Sequence, residues 1–170
     1  MKPIILNNLL PLETNLRIIN QLSNSPWYIA FDKENDRTQK IFSPKNNGFS
    51  HQTILEGKIE IDSVLNVYGL LIFDIVKDKL NIKAEINRLY WNMYLKGSDS
   101  EIHKDRTESY FNSIVYNFHT TDGGTEINGE FYPDVMGQAK VFKSNIPHKG
   151  IGPSKDNVRF NLNIIYKEIE

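Results

Sequence analysis

The sequence predicts a mainly β protein whose strands close on themselves as a barrel or a double-sheet jelly roll, buttressed by two helices. Three observations carry this expectation: two segments of helical period lie in the first half, short strands fill the second half, and Gly-, Pro- and Asn-containing turns punctuate those strands. After Pro11, residues Leu12, Leu16, Ile19 and Leu22 fall on one helical face, and "NSP" at 24–26 ends that helix. "WYIAF" at 27–31 reads as a strand. The polar stretch "DRTQKIFSPKNNGFSHQ" at 36–52 reads as a loop with one short strand at 40–42, and is expected to cover the barrel mouth and help select substrate. "DSVLNVYGLLIFDIVKDKL" at 62–80 is the longest helix, with Asp62 as its N-cap and apolar residues at 64, 65, 68, 71, 72, 75, 76 and 80. Strands are expected at 84–95, 111–119, 125–132, 139–143 and 158–166, separated by "DGG", "YPD", "KSN" and "GIGPSKDN".

The 170 residues suffice for one domain that buries roughly 70% of its unfolded-chain surface. A single domain over 1–170 is expected, with helical support in 1–82 and the β core in 83–170. Apolar residues at 39% and charged residues at 24% fit a folded globular chain. Twenty basic against twenty-one acidic residues give a net charge of −1, so no global field gathers nucleic acid or anionic membrane. Without cysteine, disulfides, zinc–thiolate sites and thiol catalysis are excluded, which leaves His and carboxylate as metal ligands. The N-terminus does not read as a signal peptide, and nothing approaches the roughly 20 apolar residues of a membrane span. A cytoplasmic protein is expected, in the host cytoplasm if the gene is viral, with no membrane partner.

In "EIHKDR", His103 and Asp105 are two apart; on a strand both would point to one face while Lys104 points away. His148 follows a strand, and Arg159 lies on the next. Two histidines and one carboxylate with open positions suit non-haem Fe(II) and oxygen activation. A guanidinium nearby can hold the far carboxylate of a dicarboxylate that chelates the iron at its other end. The remaining histidines, His51 and His119, have no carboxylate at a matching spacing and are assigned ordinary packing or surface roles.

Four segments in order, "WNMYLKGSDSEIHKD" (91–105), "SIVYNF" with "DGGTE" (113–126), "AKVFKSNIPH" (139–148) and "NVRFNLNIIYK" (157–167), resemble the Fe(II)/2-oxoglutarate dioxygenase superfamily. The resemblance is greatest to its prolyl-4-hydroxylase-like branch, which includes small phage and marine bacterial members. It implies a double-stranded β-helix, a cupin-like jelly roll. It also implies that His103, Asp105 and His148 bind Fe(II), that Arg159 pairs with the distal carboxylate of 2-oxoglutarate, and that the Tyr94 hydroxyl supports that carboxylate. Asn161 stands where the family often has Ser or Thr, and its amide could donate a similar bond. Asn92 with Tyr94 echoes the "N-x-Y" of alkylation-repair dioxygenases, so Asn92 joins the co-substrate candidates. The implied reaction consumes O2 and 2-oxoglutarate and hydroxylates a C–H bond.

A protein or peptide side chain such as peptidyl proline is the favoured substrate. A modified nucleobase is the alternative, disfavoured by the near-zero charge; a small metabolite is a third. A cupin-like module that binds metal without oxidising anything is the rival from another class, but such a barrel has no need of a dicarboxylate clamp.

Overall fold

Two long strands, β5 (Ala84–Leu95) and β11 (Val158–Glu168), form the spine of the molecule and pair antiparallel from Val158↔Leu95 to Glu168↔Ala84. The computed structural model describes residues 2–29 and 48–170. Along both strands the two-residue period separates two environments. Leu89 and Trp91 of β5, with Phe160, Leu162 and Ile164 of β11, enter the main apolar core. The alternate residues Arg88, Tyr90, Asn92 and Tyr94, with Arg159, Asn161 and Asn163, are buried too, but on the opposite face. One face of this sheet therefore packs, and the other lines a polar interior.

The apolar face is covered by α1 (Leu12–Ser23) and α2 (Val64–Leu80), close to the predicted spans. Ile18 and Leu22 of α1 and Leu65, Ile72, Phe73 and Val76 of α2 join the same core. Asn15 ties α1 down: its amide nitrogen donates to the Leu10 and Pro11 carbonyls, and its oxygen accepts from the Tyr116 hydroxyl at 2.6 Å. The α2 N-cap is Ser63 rather than Asp62, because the Ser63 hydroxyl reaches the Leu65 N–H at 3.2 Å. Gly69 lets α2 approach the sheet, since a Cβ there would sit 2.5 Å from a Leu89 methyl.

Among the described residues the large sheet runs β1 (Ile4–Leu6), β9 (Ala139–Lys143), β6 (Phe111–Asn117), β11, β5, β3 (Gly48–Leu55), β2 (Tyr28–Ile29), with β4 (Lys58–Ile59) paired to β3. A second sheet runs β10 (His148–Ile151), β7 (Thr121–Ile127), β8 (Glu130–Asp134). Val115, Ile127 and Phe142 form an apolar cluster between the two. This is the double-stranded β-helix, or jelly roll, that the resemblance implied.

Several details differ from the sequence expectations. The N-terminal segment supplies strands as well as helices, and residues 48–52 lie in β3 rather than a loop. The rest of the expected loop, with its strand at 40–42, lies outside the described residues, as does the end of the strand expected at 27–31. The strand expected at 125–132 is two strands joined at Asn128–Gly129, both with positive φ, as a tight two-residue hairpin requires. The "DGG" segment, expected as a turn between strands, lies inside β7 at a register irregularity, and "YPD" likewise belongs to β8. Among the described residues no helix is long and apolar enough to cross a membrane.

Candidate metal centre and co-substrate pocket

His103 is not on a regular strand; it forms an isolated bridge to His148 at the edge of the smaller sheet. Each backbone N–H of the pair donates to the other's carbonyl at 2.9 Å. This pairing, rather than a strand carrying His103 and Asp105, brings the three side chains together. The exposed Lys104 points away, as the two-residue spacing required.

The ligand atoms of His103, Asp105 and His148 all lie within 4.8 Å of one another. His148 Nε2 is 3.4 Å from Asp105 Oδ2, and His103 Nε2 is 3.8 Å from Oδ1. Each Nδ1 donates to a backbone carbonyl two residues earlier, Glu101 at 2.8 Å and Ile146 at 2.9 Å, which leaves both Nε2 atoms as lone-pair donors. The Nε2 of His148 is buried without a hydrogen-bond partner. A buried polar atom left unsatisfied costs about 1–3 kcal/mol, so this donor set fits a divalent cation.

Asp105 is held by groups the sequence did not single out. Oδ1 accepts from Arg88 Nη2 and the Tyr90 hydroxyl, each at 3.2 Å, and Oδ2 from Ser113 Oγ at 2.6 Å. Burial alone would raise the Asp105 carboxyl; His148, Arg88 and His103 together hold it well below the usual carboxylate range. Burial likewise pulls His148 down, but the Asp105 carboxylate outweighs it and raises the imidazole above its ordinary value. For His103, burial and the neighbouring His148 lower it.

A small pocket, open to solvent, lies between the sheets and is lined by the two clustered histidines and by Tyr90, Asn92, Tyr94, Asn161 and Asn163 of the polar face. The wall follows from register: Tyr94 opposes Arg159, Asn92 opposes Asn161, and Tyr90 opposes Asn163. Asn92 and Asn163 each leave an amide oxygen buried without a partner. Gly150 makes room for Tyr94, because a Cβ there would come within 2.2 Å of its hydroxyl.

Arg159 is fully buried just behind this wall. Its Nε and Nη2 donate to the two oxygens of Asp134, and Nη2 also donates to Thr125 Oγ1 at 3.1 Å. Its guanidinium carbon sits 4.7 Å from the centre of the Tyr94 ring. The Asn161 amide reaches both neighbours: turned one way its oxygen accepts from Arg159 Nη1 at 3.0 Å and Nη2 at 3.2 Å, turned the other way it accepts from Asn92 Nδ2 at 3.0 Å. Tyr94, Asn92, Asn161 and Arg159 thus form one connected group. His51 and His119 are not part of the His103, Asp105 and His148 cluster: His51 Nδ1 contacts the Pro26 carbonyl at 3.1 Å, and His119 Nε2 accepts from the Phe160 N–H at 3.0 Å.

No protein-family model and no curated protein matches the sequence. Solved structures do match its fold. A 2-oxoglutarate-Fe(II) oxygenase family oxidoreductase from Burkholderia pseudomallei aligns over 98% of this chain and 85% of its own at TM-score 0.70 and 15% identity. A Pseudomonas putida prolyl-4-hydroxylase aligns over 99% and 94% at TM-score 0.65 and 14% identity. The viral collagen prolyl hydroxylase of Paramecium Bursaria Chlorella virus-1, in its 2-oxoglutarate complex, aligns over 100% and 97% at TM-score 0.66 and 11% identity. The class defined here is therefore a jelly roll with the fold of the 2-oxoglutarate-Fe(II) oxygenases. Within it, this chain carries a His103, Asp105 and His148 cluster beside a polar pocket backed by Arg159.

Proposed function

We propose that the protein is an Fe(II)- and 2-oxoglutarate-dependent oxygenase that hydroxylates an unactivated C–H bond. The observation that carries the reading is the cluster of His103, Asp105 and His148, whose ligand atoms lie within 4.8 Å of one another while each imidazole Nδ1 is committed to a backbone carbonyl. In this reading these three residues hold the iron. Arg159 meets the distal carboxylate of 2-oxoglutarate, the Tyr94 hydroxyl supports the same carboxylate, and the Asn161 and Asn92 amides flank it. Iron, 2-oxoglutarate and O2 together supply the oxidant, with 2-oxoglutarate leaving as succinate and CO2.

The chain's own residues do the positioning. Arg88, Tyr90 and Ser113 fix the Asp105 carboxylate, while the Glu101 and Ile146 carbonyls keep both imidazoles in the ligating tautomer. The likeness to prolyl hydroxylases supports a peptidyl proline or another protein side chain as substrate. The test is succinate formation from 2-oxoglutarate by the Fe(II)-loaded protein, with and without proline-containing peptides. Succinate stimulated by such a peptide, with the peptide gaining one oxygen, supports the full reading. Metal binding without any 2-oxoglutarate turnover would point instead to a jelly roll that holds metal for another purpose.

A further inference from the structure

Behind the pocket wall lies a buried cluster of three charges that the metal cluster does not use. Lys140 is fully buried on β9, and its Nζ lies 3.6 Å from Asp134 Oδ1. Asp134, itself 1% exposed, is the carboxylate that grips Arg159 through Nε and Nη2. The Asn117 amide bridges the pair, donating to Asp134 Oδ1 at 2.9 Å while its oxygen accepts from Lys140 Nζ. Two buried cations thus share one buried carboxylate.

The arrangement raises a problem that charge arithmetic resolves. Asp134 orients Arg159 by binding the side of the guanidinium, yet as an anion in a low-dielectric interior it also cancels the charge that a carboxylate ligand would meet. A neutral Arg159–Asp134 pair would be a poor anion site. Lys140 supplies a second positive charge on the far side of Asp134. Burial lowers Lys140 to about 8, with Asp134 resisting that shift and Arg159 adding to it, and the Asp134 carboxylate at 3.6 Å and the Asn117 amide oxygen are the partners that hold its charged form. The other titratable neighbours are His119, whose imidazole burial lowers, and Tyr94, whose hydroxyl burial raises. The cluster therefore holds one positive charge in excess.

We propose that Lys140 is a specificity-determining residue of the co-substrate pocket: by neutralising Asp134 it returns to Arg159 the charge that selects a distal carboxylate. Lys140 does not line the pocket and acts through Asp134, which is the positioning residue for Arg159. The inference rests on the oxygenase reading and adds to it two residues outside the wall. It also explains an otherwise costly feature, because a lysine buried beside a second cation is stabilised only if an anion completes the set.

The experiment measures 2-oxoglutarate binding by calorimetry on Mn(II)-loaded protein for wild type, Lys140→Met and the double variant Asp134→Asn/Lys140→Met, with Mn(II) affinity as the control. Lys140→Met should weaken 2-oxoglutarate by about tenfold or more while leaving Mn(II) affinity unchanged, the scale of one lost charge-assisted interaction. Lys140→Met is expected to lower the melting temperature, since it removes one partner of a buried ion pair, so affinities are compared on protein held well below its transition. The double variant should recover much of the lost affinity, because the amide oxygen introduced by Asp134→Asn can still accept from Arg159 Nε without cancelling its charge. Unchanged 2-oxoglutarate affinity in folded Lys140→Met would overturn the inference, as would a double variant weaker than the single one, which would mark Lys140 as a packing residue. A wild-type protein that binds Mn(II) but no 2-oxoglutarate would instead overturn the oxygenase reading on which the inference stands.

Discussion

The His148 imidazole is held from both ends. Its Nδ1 is committed to the Ile146 carbonyl, and its Nε2 lies 3.4 Å from Asp105 Oδ2 within the cluster. His148→Ala should abolish stoichiometric Mn(II) binding, measured by calorimetry, while the protein stays folded. The same residue gives a pH signature in the metal-free protein. Asp105 is depressed in the fold, so its contribution to stability is present above about 3.9 and lost as pH falls through its folded value. His148 is raised, so its contribution is fully present below about 6.5 and lost as pH rises through its folded value. Relative to His148→Ala, the wild type should therefore gain more in melting temperature at pH 6 than at pH 8 with chelator present; an equal gain at both would contradict the His148–Asp105 pairing. Arg159→Ala should weaken 2-oxoglutarate far more than Mn(II), and equal loss of both in a folded variant would contradict its role. That His103, Asp105 and His148 would come together, with Arg159 near them, was legible from their residue types and order. Arg88, Tyr90, Ser113, Asp134 and Lys140 were not, since each sits at an ordinary alternating strand position and gains its role only from the register of strands far apart in sequence.

At the scale of elements, alternation in β5 and β11 decides what faces the core and what faces the pocket. Leu162 is fully buried on the packing face, and Leu162→Ala should cost about 2–5 kcal/mol in denaturant unfolding without changing Mn(II) affinity. Gly150 acts from β10: Gly150→Ala should displace the Tyr94 ring and weaken 2-oxoglutarate binding several-fold, again measured by calorimetry. The helices and long strands were readable because their apolar periods run for many residues. The four-residue β10 was not, because its "HKGI" has no period to read and exists through pairing with β7. The β7–β8 hairpin was missed because 125–132 was read as one strand, although Asn128–Gly129 has the positive φ angles a two-residue turn needs.

For the whole molecule, the two faces of one sheet separate stability from chemistry. The helices seal an apolar layer, while the opposite face lines a polar interior that holds the His103, Asp105 and His148 cluster and the charges of Arg159, Asp134 and Lys140. A chain with net charge −1 thus keeps an internal positive site that its composition does not reveal. The central claim is that this interior holds Fe(II) and 2-oxoglutarate together. The measurement that tests it most directly is the visible absorption spectrum of the protein under nitrogen, titrated with Fe(II) and then 2-oxoglutarate, beside His148→Ala. A weak charge-transfer band that needs both additions and is missing in the variant is the expected result. A folded, metal-binding protein that develops no such band would contradict it.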